Sequence, residues 1–183
     1  MKSLLYTCLF GLGLALVSCG ESAQHEKSGD QSTNQRSEAV QNKIAQMKLA
    51  KDHHSFSEPN KAVATHLSWD AEVDFETKVI SGTATFTIDN KVKGNKVIFD
   101  INQLQIEKIT LDGGQATEFA IGPETEFLGQ ALEVNINPST TKVAITYKSN
   151  PDAGALLWVE GDSPFLFTQS QAILARTWIP CQD

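Results

Sequence analysis

The sequence predicts a mainly β fold in which antiparallel strands form a sandwich or a twisted sheet. Segments that alternate apolar and polar residues recur from residue 63 to residue 147. Gly, Pro, Asn and Asp punctuate these segments at short intervals, as is typical of turns between strands. A helix is indicated only near the carboxyl end of this region. Residues 52–183 together have the size of one ordinary domain.

The first 18 residues are predicted to be a lipoprotein signal peptide. Lys2 supplies the positive start, and residues 4–17 form an apolar stretch too short to span a bilayer comfortably. Residues 16–19, Leu-Val-Ser-Cys, resemble the bacterial lipobox, in which the Cys thiol is acylated and becomes the new amino terminus. We therefore expect a lipid at Cys19 and a lipid-anchored place in the bacterial cell envelope, at the outer membrane or its periplasmic face. The alternative is a plain secretory signal with a chance Cys.

Residues 19–51 are predicted to be a flexible linker. Their first half is rich in Ser, Gln, Asn and charged residues, a composition that buries too little apolar area to order itself. In the second half Ser37 is a suitable helix cap, and Val40, Ile44 and Met47 recur at helical spacing. A short helix is therefore possible within the linker.

Residues 52–57 begin the domain with two adjacent histidines. His53 and His54 would point to opposite sides of an extended chain, so they would serve one metal ion poorly. We expect this segment to contribute packing and hydrogen bonds instead. Residues 58–60 form a turn.

Seven strands follow from the alternation. In chain order they cover residues 67–75, 79–89, 97–101, 104–111, 117–121, 132–136 and 143–147. The first two are predicted to form a hairpin with a half-buried face. The apolar residues of the first strand are Leu67, Trp69, Ala71, Val73 and Phe75.

No pair of carboxylates in these strands is expected to act as acid and base. Asp70, Glu72 and Asp74 share the opposite face of the first strand and are predicted to be a solvated row.

The carboxyl-terminal stretch places a strand next to a helix. Residues 165–167 indicate the end of a buried strand, residues 168–171 are polar, and residues 172–176 favour a helix that Pro180 stops. A strand that runs straight into a helix exposes side chains and N–H groups at one place, where proteins often locate a binding residue. The alternative, which spacing alone favours, is an ordinary structural corner.

Charge and cysteine content exclude some functions. The net charge is −7, with 15 Lys and Arg against 22 Asp and Glu, which disfavours binding to nucleic acid. Of the three cysteines, Cys8 belongs to the signal and Cys19 is expected to carry lipid. Cys181 then has no partner for an intrachain disulfide, and we expect a structural thiol rather than a nucleophile.

Several segments resemble the amino-terminal domain of zinc aminopeptidases. The family is that of aminopeptidase N, and the branch is that of leukotriene A(4) hydrolase and aminopeptidase B. The similar segments are Asp52 with residues 54–56, His66-Leu67, residues 73–75 and 81–84, the spacing of Leu104, Ile106 and Ile109, residues 155–158, residues 169–172, Arg176 and residues 180–183. Their order and spacing extend over residues 52–183.

The resemblance implies a saddle-like domain, with one large mixed sheet and smaller sheets beside it, in a metallopeptidase that removes amino-terminal residues from peptides. It also implies zinc in the full-length enzyme, with ligands outside residues 1–183. Of the four histidines, only His25 begins an H-E-x-x-H pattern, and Gly29 stands where its second His belongs. The G-x-M-E-N substrate loop is absent as well. We therefore expect an amino-terminal fragment that holds no catalytic residue or metal, is inactive alone, and is completed by its own catalytic domain.

The same resemblance marks Gln171 and Ala172 as substrate-binding residues. In the family, the side chain that matches Gln171 faces the cleft near the amino terminus of the peptide substrate. Many members carry Glu there, and the leukotriene hydrolase branch carries Gln. Gln169, two residues earlier, is the residue most easily mistaken for it. The alternative is that Gln171 caps the short helix or satisfies buried backbone.

Two other functions remain open from the sequence. One is a non-catalytic lipoprotein β-sandwich used for adhesion or ligand binding. The other, narrower possibility is an epoxide hydrolase activity like that of the leukotriene enzyme. An H-E-x-x-H motif encoded after Asp183 would favour the peptidase over the binding module.

Overall fold

Ten β-strands and one short 3₁₀ helix make up the part of the chain that the computed structural model describes, residues 52–183. The strands are β1 (Ala62–Asp74), β2 (Val79–Asn90), β3 (Lys96–Ile101), β4 (Gln105–Leu111), β5 (Gln115–Ala116), β6 (Phe119–Ile121), β7 (Gln130–Asn135), β8 (Lys142–Lys148), β9 (Leu156–Val159) and β10 (Phe165–Thr168), and the helix is Leu174–Thr177. The signal peptide predicted at residues 1–18 lies outside the described residues, as does the linker of residues 19–51 with its possible helix. No described helix is long and apolar enough to cross a membrane.

The strands form three sheets. A five-stranded sheet has the order β1-β2-β8-β4-β5, a three-stranded sheet has the order β3-β7-β6, and β9 and β10 form a two-stranded hairpin. Every pairing among the described strands is antiparallel, so the mainly β fold is confirmed, and of the antiparallel and mixed arrangements the antiparallel one is observed. The predicted hairpin of the first two strands is β1 and β2.

The main core lies between the five-stranded and three-stranded sheets. Alternate residues of β2 and β8 point to it from one sheet, and alternate residues of β3 and β7 point to it from the other. The rings of Phe86 and Phe99 meet across it with their centroids 4.7 Å apart. Burial of these rows removes a large apolar area from water, which stabilises the sandwich.

The apolar row of β1 has the predicted register. Trp69 is opposite Ala84 of β2, and Val73 is opposite Ile80, so this row shares the core face of the sheet. Because β1 is an edge strand, that face is only partly covered, and Trp69 remains 41% exposed. The acidic row of Asp70, Glu72 and Asp74 is exposed, as expected.

The hairpin of β9 and β10 corrects one prediction. Trp158 and Leu166 are paired in register and pack toward a second, smaller core that contains Ile80. Phe165 and Phe167 lie on the other face and are 54% and 52% exposed. The strand predicted at residues 165–167 is therefore confirmed, but the prediction that it is buried was wrong. The reason is that β10 pairs with β9 alone among the described strands, and only one face of this hairpin has a neighbour.

The short helix near the carboxyl terminus is confirmed as one 3₁₀ turn. It begins two residues later than predicted, with Ile173 as its N-cap. The hydroxyl of Thr177 donates to the carbonyl of Leu174 at 2.8 Å, and the N–H groups of Trp178 and Ile179 both donate to the carbonyl of Ala175. These bonds close the turn just before Pro180.

The close approach of β1 to Gly82 gives the first testable prediction. A Cβ atom at this position would lie 2.2 Å from the carbonyl oxygen of Asp70 and 2.5 Å from the Cα of Ala71, and both of these atoms are backbone. We expect Gly82→Ala to lower the free energy of unfolding by about 2 kcal/mol or more, because the strands must separate locally. Gly154→Ala is the control, since a Cβ there meets nothing within 4 Å and should change stability by no more than about 0.5 kcal/mol. Urea unfolding followed by Trp fluorescence measures both, and equal losses would contradict the close approach.

Candidate functional site

The candidate site is the turn that joins β10 to the 3₁₀ helix. Gln171 and Ala172 lie in this turn and are both exposed, and the peptide bond between them is cis. Within residues 52–183 the side chain of Gln171 makes no hydrogen bond, and the N-cap of the helix is Ile173 without a side-chain cap. The capping alternative for Gln171 therefore has no support in the part of the chain that the structure describes.

Backbone hydrogen bonds hold the chain on both sides of Gln171. The N–H of Gln169 donates to the carbonyl of Ala155 at 2.9 Å, which extends the hairpin ladder by one step. The N–H of Leu174 donates to the carbonyl of Ser170 at 2.8 Å. Gln171 therefore lies in a turn whose ends are fixed, although its own side chain makes no hydrogen bond to any described residue.

Arg176 connects this helix to distant parts of the domain. It is fully buried, and its guanidinium donates to the carbonyl of Leu128 at 2.7 Å and to the carbonyl of His54 at 2.9 Å. Its Nε also donates to the carboxylate of Asp183 at 3.2 Å, and Nη2 contacts the same oxygen. A buried cation needs this many acceptors, because taking it out of water is costly.

Asp100 completes the buried charge cluster. Its carboxylate is fully buried and lies 3.9 Å from the guanidinium of Arg176. It accepts hydrogen bonds from the hydroxyl of Ser55 at 2.5 Å and from the backbone N–H of Phe56 at 2.7 Å. Residues 52–57 thus contribute packing and hydrogen bonds, as expected from the sequence.

The last residues, 180–183, are structural parts of this site. The backbones of Cys181 and Asp100 bond to each other in both directions, at 2.7 and 3.1 Å. The Gln182 amide donates to the carbonyl of Ile98 at 2.9 Å and accepts from the N–H of Ala64 at 2.8 Å. Asp183 accepts a hydrogen bond from Arg176 in the helix. Residues 180–183 therefore connect β1 and β3 to the helix through hydrogen bonds.

The thiol of Cys181 is not activated as a nucleophile. Burial raises its pKa far above the ordinary value, and the charges of Asp183 and Asp100 raise it further. The thiol therefore stays protonated near neutral pH, in agreement with a structural role.

The described residues do not fit a zinc ion. No three His, Cys, Asp or Glu side chains within residues 52–183 come together as a ligand set. His53 and His54 are exposed, and the imidazole of His54 contacts the carboxylate of Asp52 at 3.2 Å.

The candidate site is an open corner. A groove of about 370 Å³ lies between the first half of β1 and residues 179–183, but Gln171 does not line it.

One hydrogen bond at this site was missed in the sequence. The indole N–H of Trp178 donates to the hydroxyl of Ser170 at 3.1 Å, next to Gln171. The two residues are eight positions apart, and the segment between them contains both the Gln171 turn and the 3₁₀ helix, so no single periodic pattern relates them. Trp178 carried a weak signal only, as a large aromatic residue two positions before Pro180.

Residues 63–183 match the family model described as the peptidase M1 N-terminal domain. Among known proteins, leukotriene A-4 hydrolase of Xenopus laevis is 32% identical over 144 residues, which are 72% of this chain and 24% of the relative. Leucine aminopeptidase 2 of Candida albicans is 32% identical over 127 residues, 68% of this chain and 20% of the relative. The chain thus spans about a quarter or less of the length of these relatives.

Solved structures show the same fold. Yeast LTA4 hydrolase in complex with bestatin superposes with a TM-score of 0.68 at 25% identity, over 79% of this chain and 24% of that one. An M1 zinc metallopeptidase from Deinococcus radiodurans gives a TM-score of 0.52 at 16% identity, over 71% and 31%. The second likeness concerns the fold alone.

The buried position of Arg176 gives a stability prediction. Arg176→Lys keeps the charge, but the compact ammonium cannot serve the carbonyls of Leu128 and His54 and the carboxylate of Asp183 together. We expect a loss of at least about 2 kcal/mol in the free energy of unfolding, the scale of a broken buried charge network.

Lys148→Met is the control for Arg176→Lys, measured by the same chemical unfolding. Lys148 pairs with Glu107 at 2.9 Å on the surface, where both side chains are nearly half exposed. Its removal should cost less than about 1 kcal/mol. If Arg176→Lys were no more harmful than Lys148→Met, the guanidinium would not hold the site together.

Proposed function

This chain belongs to the peptidase M1 N-terminal domain family, and from this premise we propose that it forms the substrate-cleft domain of a zinc-dependent aminopeptidase. The full-length enzyme would remove amino-terminal residues from peptides. The observation that carries this proposal is the exposed amide of Gln171, which makes no hydrogen bond within residues 52–183 and lies in a turn whose two ends are fixed.

The chemistry of Gln171 suits a free amino terminus. An α-ammonium group needs hydrogen-bond acceptors, and the amide oxygen supplies one without a net charge. The amide NH₂ can donate to a peptide carbonyl at the same time. Glu would bind the ammonium more strongly, because charge-assisted hydrogen bonds are stronger than neutral ones. A further acidic group from the catalytic domain would therefore supply most of the ammonium binding. Ala172 beside Gln171 leaves the turn open for the peptide.

Zinc is proposed for the full-length enzyme and not for residues 52–183. The resemblance to zinc aminopeptidases supports the metal, whereas the described residues offer no ligand set. The catalytic domain that would hold the metal is the proposed partner of this domain. When bound in such enzymes, zinc supplies Lewis acidity and an activated water.

The membrane is a second proposed partner. The lipobox-like residues 16–19 and the polar composition of residues 20–35 support an acylated Cys19 on a flexible tether. The domain would then work at the bacterial cell envelope, close to extracellular or periplasmic peptides.

Replacement of Gln171 tests the peptidase proposal. In the full-length protein, Gln171→Ala should lower kcat/KM on aminoacyl and peptide substrates by roughly 10- to 100-fold, about 1.4–3 kcal/mol, the size of one hydrogen bond to a charged group. The melting temperature should barely change, because the side chain is exposed and makes no hydrogen bond within residues 52–183.

Gln169→Ala is the matched control for Gln171→Ala. It also removes an exposed amide, but the bond from its backbone N–H to Ala155 does not need the side chain. We expect less than about a threefold change in kcat/KM. A Gln171→Ala protein that melts early and keeps normal activity per folded molecule would show that Gln171 is structural. A full-length wild type that hydrolyses no peptide would favour the adhesion or ligand-binding alternative.

Replacement of Cys19 tests the anchor separately. Cys19→Ala should move the protein out of the membrane fraction and abolish acylation of the processed amino terminus, as measured by fractionation and mass spectrometry. Stable anchoring takes two or more acyl chains, since a single chain binds membranes only marginally. Cys8→Ala is the control, because Cys8 lies within the predicted signal and should leave the anchor intact. Unchanged fractionation together with an unacylated wild type would refute the lipoprotein proposal.

A further inference from the structure

Trp178 joins the Gln171 turn to the body of the domain. Its indole N–H donates to the hydroxyl of Ser170 at 3.1 Å, and Ser170 is the residue directly before Gln171. Indole is a donor only, so the Ser170 oxygen must be the acceptor. The bond closes a loop from residue 170 to residue 178 that contains Gln171, Ala172 and the whole 3₁₀ helix.

The ring of Trp178 is itself held in place. It stands edge to face against the ring of Trp69 on β1, with centroids 5.5 Å apart and an interplanar angle of 74°. This is a favoured geometry for aromatic pairs. The indole N–H of Trp69 in turn donates to the hydroxyl of Tyr147 at 3.0 Å.

Tyr147 lies in the core, at the end of the contacts that run from Ser170 through Trp178 and Trp69. It is fully buried on β8, and burial raises its pKa to about 12, so its hydroxyl stays neutral under physiological conditions. Contacts thus run without a gap from the core through Tyr147, Trp69 and Trp178 to Ser170.

We propose that Trp178, through its hydrogen bond to Ser170, is a positioning residue that fixes the Gln171 turn for the amino terminus of the substrate. This inference rests on the proposed function of Gln171. The side chain of Gln171 makes no hydrogen bond within residues 52–183, so its direction depends on the backbone that carries it. A displacement of about 1 Å in a substrate-positioning group lowers catalytic efficiency by up to about 100-fold.

The chain contains a matched control for Trp178. Trp158 is also packed in the smaller core, yet its buried indole N–H has no partner within residues 52–183. Trp178→Phe and Trp158→Phe remove the same atoms from the same kind of environment. Among the described residues, only the first of these two substitutions removes a hydrogen bond.

Two readouts on the full-length protein test the proposal. The first is hydrogen–deuterium exchange of backbone amides in residues 169–176, measured by mass spectrometry, which does not depend on activity. Trp178→Phe and Ser170→Ala should each speed this exchange, and Trp158→Phe should leave it unchanged. The second is kcat/KM per folded molecule, which should fall roughly three- to tenfold in each of the two variants, the effect of one neutral hydrogen bond.

The double variant and a rescue distinguish positioning from general damage. Trp178→Phe with Ser170→Ala should lose no more kcat/KM than either single variant, because both remove the same bond. Ser170→Thr keeps a hydroxyl acceptor and should recover most of the loss seen with Ser170→Ala.

Failure of the positioning proposal looks different from failure of the proposed function. If Trp178→Phe and Trp158→Phe affect exchange equally, or the two losses in kcat/KM add in the double variant, the positioning role is overturned. If exchange responds as expected but wild type cleaves no peptide, the hydrogen bond does fix the turn and the proposed function is wrong. A third outcome is that wild type cleaves peptides and Gln171→Ala is impaired, but Trp178→Phe changes neither amide exchange nor kcat/KM. In that case the proposed function stands and only the positioning role fails.

Discussion

The hydrogen bonds of the buried Arg176 guanidinium are the interactions on which the 3₁₀ helix and residues 180–183 depend. The guanidinium bonds to backbone carbonyls of residues 54 and 128 and to the carboxylate of Asp183, and it lies beside the buried Asp100. These partners come from four separate stretches of the chain. A cation without them would be left uncompensated in a medium of low polarity, which costs several kcal/mol. The cluster therefore forms as a unit, and it determines where the 3₁₀ helix and the turn before it can lie.

The second constraint comes from aromatic side chains at the edge of the sheet. Because β1 pairs with β2 alone among the described strands, its apolar row is not fully covered, and the ring of Trp69 packs edge to face against the ring of Trp178. Another pair of aromatic rings, Phe75 after the end of β1 and Trp158 on β9, has its centroids 5.5 Å apart and packs the β9–β10 hairpin against this edge of the sheet. The Gln171 turn is thus held by the buried charge cluster of Arg176 and by the packing of Trp178 against Trp69. The exposed side chain of Gln171 makes no hydrogen bond within residues 52–183. This combination suits a group that must be rigid and still meet a ligand.

The sequence predicts the sandwich well because each main strand buries one face, so that apolar and polar residues alternate along it with a period of two. Residues 79–89 and 143–147 are examples, and both were placed correctly. The strand β9 carries apolar residues on both faces, so no alternation marks it, and the same ambiguity led to the wrong prediction of burial for Phe165 and Phe167. A run of apolar residues shows that a strand has apolar faces, but not which neighbour covers them. Gln171 was proposed through family resemblance, whereas the partners of Arg176 and the bond from Trp178 to Ser170 depend on contacts that only the folded chain creates.

The central claim is that Gln171 meets the free amino terminus of a peptide. The most direct test compares the affinity of full-length protein for a peptide and for its N-acetylated form, in wild type and in Gln171→Ala. Acetylation removes the α-ammonium, so the two changes should be coupled if the groups touch. We predict that wild type prefers the free peptide and that Gln171→Ala reduces this preference by about tenfold, the effect of one hydrogen bond to a charged group. An equal loss of affinity for both peptides, or an unchanged preference, would contradict the account.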